Sequence, residues 1–104
     1  MAAIGFSGFD WDDGNRAKCQ KHGLSIADVE HVLANNETVI IPLDAFEEPR
    51  FVAIGQTVAE RYAFVVFTPR EKKGDWTQRL ISARYMHRRE VKRYEQEIAR
   101  FQKR

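Results

Sequence analysis

The sequence predicts one α+β domain over residues 1–104, with two short helices, then an antiparallel sheet of about four to five strands, then one C-terminal helix. Three observations carry that expectation. Segments rich in β-branched and aromatic residues cluster between positions 38 and 83, separated by turn-forming stretches. After them the apolar residues change to the three-and-four spacing of a helix. A length of 104 residues, with 43% hydrophobic and 31% charged, suits one globular domain with its own core.

The chain opens with the short alternation Phe6-Ser-Gly-Phe9-Asp-Trp11, which reads as a strand. Asp12 or Asp13 is a capping residue for a helix over residues 13–22, and Gly23 supplies a left-handed stop. Ser25 and Asp28 have capping-box spacing, so Ile26, Val29, Val32 and Leu33 form the apolar face of a second helix that Asn35-Asn36 ends. Strands follow at Thr38–Leu43, Arg50–Thr57, Tyr62–Thr68 and Thr77–Ala83. Pro42 cannot donate to a ladder, which makes the first of these an edge strand or a bulged one. Tyr62-Ala-Phe64-Val-Val-Phe67 is apolar on both alternating sides and is expected in the middle of the sheet, covered on both faces. Lys72-Lys73-Gly74-Asp75 reads as an exposed hairpin turn. In the last element His87, Val91, Tyr94, Ile98 and Phe101 share one stripe, while Arg89, Lys92, Arg93, Arg100, Lys103 and Arg104 lie opposite.

The charge is unevenly spread. Residues 79–104 hold nine of the seventeen Lys and Arg residues against three Glu, whereas residues 1–78 hold eight against twelve Asp and Glu. A basic C-terminal end of this kind fits a polyanion or an acidic partner, or simply a solvated helix face. Other classes are disfavoured. The apolar runs Val39–Leu43 and Ala63–Phe67 are too short to span a bilayer, and the start of the chain does not read as a signal peptide. One cysteine, Cys19, forms no internal disulfide, which points to a reducing cytoplasm. The three histidines and Cys19 have no metal-ligand spacing, and neither a phosphate loop nor a nucleophile elbow occurs, so no metal or other cofactor is expected.

Four segments, in this order, resemble a known family. They are Phe9-Asp-Trp11-Asp, Lys21-His22-Gly23-Leu-Ser25, Arg50-Phe51 with Ile54-Gly55, and Ile81-Ser82-Ala83-Arg84 followed by Arg88-Arg89-Glu90 and Tyr94. Together they look like the BrnT toxins of type II toxin–antitoxin pairs, departing from relatives at Tyr85-Met86-His87. The resemblance implies a RelE-like ribonuclease fold and cleavage of mRNA. It also implies a cognate antitoxin, typically a ribbon-helix-helix protein, that holds the toxin in a hetero-oligomer.

Cutting RNA without a metal requires a base for the 2′-hydroxyl, positive charge for the phosphorane, and an acid for the leaving 5′-oxygen. Arginine suits the middle task, because its planar fork matches a phosphate and keeps its proton. Arg84 is the first candidate, at the end of a strand beside the last helix; its alternative is a salt bridge to a carboxylate. Arg79, five residues earlier, is expected to face the other way. Arg50 starts a neighbouring strand and is a further phosphate candidate. Arg88 and Arg89 sit where positive charge meets the positive end of a helix dipole, which hints at substrate or antitoxin contact. Lys21, Lys92 and Arg93 complete that binding set. His22 and His87 are the imidazoles suited to proton transfer, Glu47 and Glu48 the carboxylates, and Tyr94 either a catalytic or a core tyrosine. Trp11 and Trp76 read as packing aromatics. The remaining alternative is a non-catalytic module that only binds nucleic acid or an antitoxin.

Overall fold

A computed structural model describes residues 6–44 and 46–102, the side chains of 101 and 102 excepted. The expected α+β architecture is observed. The elements run β1 (Phe9–Asp10), α1 (Asp13–Gln20), α2 (Ile26–Ala34), β2 (Val39–Leu43), β3 (Arg50–Gln56), β4 (Tyr62–Lys72), β5 (Asp75–Tyr85) and α3 (Arg88–Gln102). The five strands form one sheet in the order β1-β5-β4-β3-β2, antiparallel except where β1 runs parallel to β5. β4 lies at the centre and the proline-bearing β2 at an edge, as the side-chain pattern requires.

Local chemistry sets the boundaries. Asp12 caps α1 by accepting from the Asn15 amide, and Asn15 returns the bond to the Asp12 amide. Ser25 and Asp28 do the same for α2. Gly23 turns the chain between them at φ 100°. The β4–β5 hairpin closes through Lys73 and Gly74, both at positive φ, the handedness that matches the twist of the flanking strands. Both strands run further than their apolar cores suggest, to Lys72 and from Asp75, because this tight turn keeps them paired to their tips.

One face of the sheet carries the core. Cys19 and Leu24 with Val29 and Val32 from α2 pack on Ala53, Ala63, Val65, Phe67, Leu80 and Ala83. Burying each of the larger of these side chains contributes about 1.5–3 kcal/mol. Small residues under α2 allow close approach, and at Gly55 a Cβ would collide with the Thr38 hydroxyl. The opposite face differs from expectation. Phe64 and Val66 point there and stay only half buried: α2 packs on the first face, and the cover on this side is the Arg84 guanidinium over Phe64 and the Tyr94 ring beside Tyr62.

β5 contains a bulge that plain alternation conceals. Val66 pairs with Ser82 and Phe67 with Leu80, which leaves Ile81 as an extra residue. Leu80 and Ala83 therefore both enter the core although three apart. The same shift corrects the expected facing of two arginines. Arg79 pairs with Thr68 and Arg84 with Phe64, and since positions 64 and 68 of β4 share a face, so do the arginines.

α3 leans on the sheet through Val91, Tyr94 and Ile98, which are half buried, with the Tyr94 ring 5.3 Å from that of Tyr62. His87, expected on this packed stripe, is exposed, because it precedes the helix rather than lying within it. The Phe101 side chain, Lys103 and Arg104 lie outside the described residues. Trp11 packs against the core, but Trp76 is 43% exposed beside an apolar groove.

Candidate functional site

Three neighbouring strands build a cationic cleft on the face opposite the core. Arg50 precedes Phe51, whose partner is Phe67, so Arg50 lies beside Thr68, and Thr68 in turn pairs with Arg79. Adjacent strands are about 4.8 Å apart, so the two arginines flank the threonine at roughly twice that spacing. Arg70 on β4 and Lys18 from α1 also line this cleft of about 470 Å³, as do the carboxylates of Asp12 and Glu48. Four cations thus face two anions. The Thr68 hydroxyl donates to the Pro49 carbonyl, which ties the start of β3 to β4 beside Arg50.

Arg79 and Arg50 are each held by an acid. Arg79 Nη2 reaches Asp12 Oδ2 at 2.6 Å and Nη1 lies 3.5 Å from Asp10 Oδ2. Asp12 uses one oxygen to cap α1 and the other to grip Arg79, so helix start and guanidinium are fixed together. Asp10 is buried, and its second partner is Lys72 at 2.8 Å. The Lys72 hydrogen bond, helped by the charges of Lys72 and Arg79, holds the Asp10 carboxyl below its ordinary range despite burial. The Asn15 amide and then Arg79 lower Asp12 likewise. Arg50 meets Glu48 at 3.1 Å and stacks 4.1 Å above the ring of Phe46.

Arg84 stands apart from this cleft. Its guanidinium makes two 2.9 Å hydrogen bonds to the Glu90 carboxylate and covers the Phe64 ring at 4.6 Å. Glu90 also accepts from the His87 amide at 2.8 Å. The Arg84 hydrogen bonds first, and the His87 amide second, pull the Glu90 carboxyl down to about 2. This arrangement pins the first turn of α3 to the end of β5. The salt-bridge alternative for Arg84 is the one observed.

The cleft therefore gathers Arg50 and Arg79 and leaves the other candidates elsewhere. His87 is exposed at the head of α3, and Arg88, Arg89, Lys92 and Arg93 are exposed along that helix. Lys21 and His22 are exposed on the turn between α1 and α2. Tyr94 lines a separate hollow with Tyr62 and Ile98, and burial followed by the nearby Tyr62 raises its hydroxyl above the ordinary value. Sequence reasoning missed Lys18, Thr68, Arg70 and the Asp10–Asp12 grip, because inter-strand register places them and no local pattern marks them. Phe46, a 47% exposed aromatic within a loop otherwise acidic, was a legible signal that went unused. Among the described residues no group of His, Cys, Asp and Glu is placed to hold a metal ion, and no helix is long and apolar enough to cross a membrane.

Chemically, the arrangement can bind a phosphodiester between two guanidinium forks, with an ammonium and a carboxylate at hand for proton transfer. A search of curated proteins found no match to the chain. The family model described as the ribonuclease toxin BrnT of type II toxin–antitoxin systems matches residues 11–90, a span that takes in Asp12, Arg50, Thr68, Arg70, Arg79, Arg84 and Glu90. With just over three quarters of its length inside that match, the chain belongs to the BrnT family of ribonuclease toxins.

Proposed function

We propose that this toxin is an endoribonuclease that cuts mRNA without a metal and is neutralised in the cytoplasm by a ribbon-helix-helix antitoxin, with which it forms a hetero-oligomer. Family membership already implies a cognate antitoxin. The observation that carries the enzymatic reading is the row Arg50–Thr68–Arg79 on one open face, with Lys18 and Arg70 beside it. Two forks at that spacing suit a phosphate that gains charge as it becomes a phosphorane.

In this reading a base takes the 2′-hydroxyl proton, the 2′-oxygen attacks phosphorus, and the bond to the 5′-oxygen breaks as an acid protonates it. The products are a 2′,3′-cyclic phosphate and a free 5′-hydroxyl. Glu48 and Lys18 are the proton-transfer groups within the cleft, as base and acid. Arg84 acts as the anchor of α3 instead of a phosphate ligand. His22, His87 and Tyr94 stand outside the cleft, and Arg88 shares the exposed face of α3 with Arg89, Lys92 and Arg93, which with Lys21 offer charge to RNA or antitoxin.

The test is cleavage of an RNA oligonucleotide by the purified chain in EDTA. Cyclic-phosphate ends, and no cutting where the scissile nucleotide is 2′-deoxy, are the expected result. Salt-sensitive RNA binding without turnover would leave the non-catalytic module instead, and cutting that EDTA abolishes would overturn the chemistry.

A further inference from the structure

The loop between β2 and β3 presents an aromatic ring at the side of the cleft. Phe46 is 47% exposed, although a phenylalanine gains most from burial. Its ring is not idle on the loop surface, because the Arg50 guanidinium lies 4.1 Å from its centroid. Arg50 in turn lines the cleft beside Thr68 and is steadied by Glu48 at 3.1 Å. Phe46 and Arg50 form a short stack that ends in solvent at Phe46 and in the cationic cleft at Arg50, with Glu48 paired to the guanidinium.

We propose that Phe46 is a stacking platform for an unpaired nucleobase of single-stranded RNA, at a nucleotide next to the phosphate held by Arg50. The inference rests on the nuclease reading for the identity of the polymer. The physical grounds are separate from that reading. Nucleobases stack on aromatic side chains with little regard to sequence, and a guanidinium on the ring adds cation–π attraction. A nucleotide joins a flat apolar base to a charged phosphate, and Phe46 with Arg50 offers a flat apolar ring joined to a positive fork. An apolar protein segment would use the ring but bring no phosphate to the cationic cleft that Arg50 lines. Stacking also explains how a cleft of simple charges holds the chain in one position: phosphate contacts position a backbone, whereas a base platform fixes where along it the strand stops.

The experiment uses the full chain, freed of antitoxin, and a short single-stranded RNA methylated at every 2′-oxygen so that it binds uncut. An abasic site is stepped along this RNA, and affinity is measured for wild type, Phe46→Ala and Phe46→Tyr. Phe46→Ala is expected to weaken binding of the intact RNA by about tenfold or more, the usual loss of one stacked base, while Phe46→Tyr retains it. At one abasic position wild type should fall to the affinity of Phe46→Ala, and Phe46→Ala should lose nothing further. Wild-type affinity for Phe46→Ala, or a Phe46→Ala loss that persists equally at every abasic position, overturns the platform. Unmethylated RNA separates the two readings. Cutting by wild type with no role for Phe46 in binding leaves the nuclease and removes the platform. Binding through Phe46 without cyclic-phosphate ends keeps the platform and removes the nuclease.

Discussion

At one end of the sheet the same three strands show two unlike surfaces. Arg50, Thr68, Arg70 and Arg79 face one way, while Phe51, Phe67, Pro69 and Trp76 face the other and line an apolar groove of about 500 Å³ with Phe6, Ile40 and Pro49. The residues alternate along each strand, so a charged contact and an apolar one are neighbours in sequence and opposites in space. On the apolar side Phe67 touches Phe51 in a stack at 5.6 Å and Phe6 edge-on at 5.9 Å, contacts that hold the strands together. On the cationic side Arg50 and Arg79 lie outside the core and are held chiefly by the exposed acids Glu48 and Asp12, with the buried Asp10 farther off at 3.5 Å from Arg79. The lesson is that stability and chemistry are interleaved here residue by residue, so substitutions one position apart should fail in different ways.

The largest effect is expected on the apolar side. Phe67→Ala removes a ring that is 1% exposed and should cost about 3–5 kcal/mol of stability, seen as a lower denaturation midpoint. Retention of the wild-type midpoint would break the contrast. Its counterpart Arg50→Ala should slow RNA cleavage by about 100-fold, the usual loss of one preorganised donor at a developing anion. Because its ion pair with Glu48 is partly exposed, the same change should alter stability by no more than about 1 kcal/mol. A large loss of stability in Arg50→Ala would sharpen the comparison against us, making the arginine structural.

Acid provides a third, more local test. Glu90 has its carboxyl pulled from an ordinary 4.5 down to about 2, so its pairing with Arg84 favours the folded state fully above pH 4.5. That contribution is lost as the pH falls from 4.5 to 2, where the native carboxylate takes its proton. Amide protection in the first turn of α3, relative to the intrinsic exchange rate at each pH, should fall across that window, and Glu90→Gln should show the reduced protection already at neutral pH. The smallest effect concerns Cys19, which is fully buried and whose thiol burial pushes up to about 11. Alkylating reagents should leave it unlabelled at neutral pH until the protein unfolds; rapid labelling of the native chain would contradict the packed core.

Periodicity and punctuation made most of the fold readable. Ser25 with Asp28, Pro42, and Lys73-Gly74 each act within a few residues, so the start of α2, the edge position of β2 and the hairpin turn follow from local chemistry. The site was less readable for the opposite reason. Arg50 and Arg79 were candidates on sequence, but Thr68 and Arg70 join them through cross-strand register, and Lys18 arrives from a helix. Arg84 looked well placed at the end of its strand, yet Glu90, six positions on, takes up its fork once α3 turns back. The facing of Arg79 failed at a single inserted residue, which no composition rule reveals.

That insertion makes the count of residues in β5 a matter of parity. Five steps separate Arg79 from Arg84, an odd number that would send one of them into the greasy interior of a regular strand, and Ile81 converts odd to even. Deleting Ile81 itself would leave four regular steps with both guanidinium groups on one side. Inserting one further residue with the bulge kept would instead force a choice between expelling Leu80 or Ala83 from the interior and burying an arginine. Shortening this stretch by two, with the bulge kept, would preserve the sidedness and only bring the cleft nearer to the head of α3.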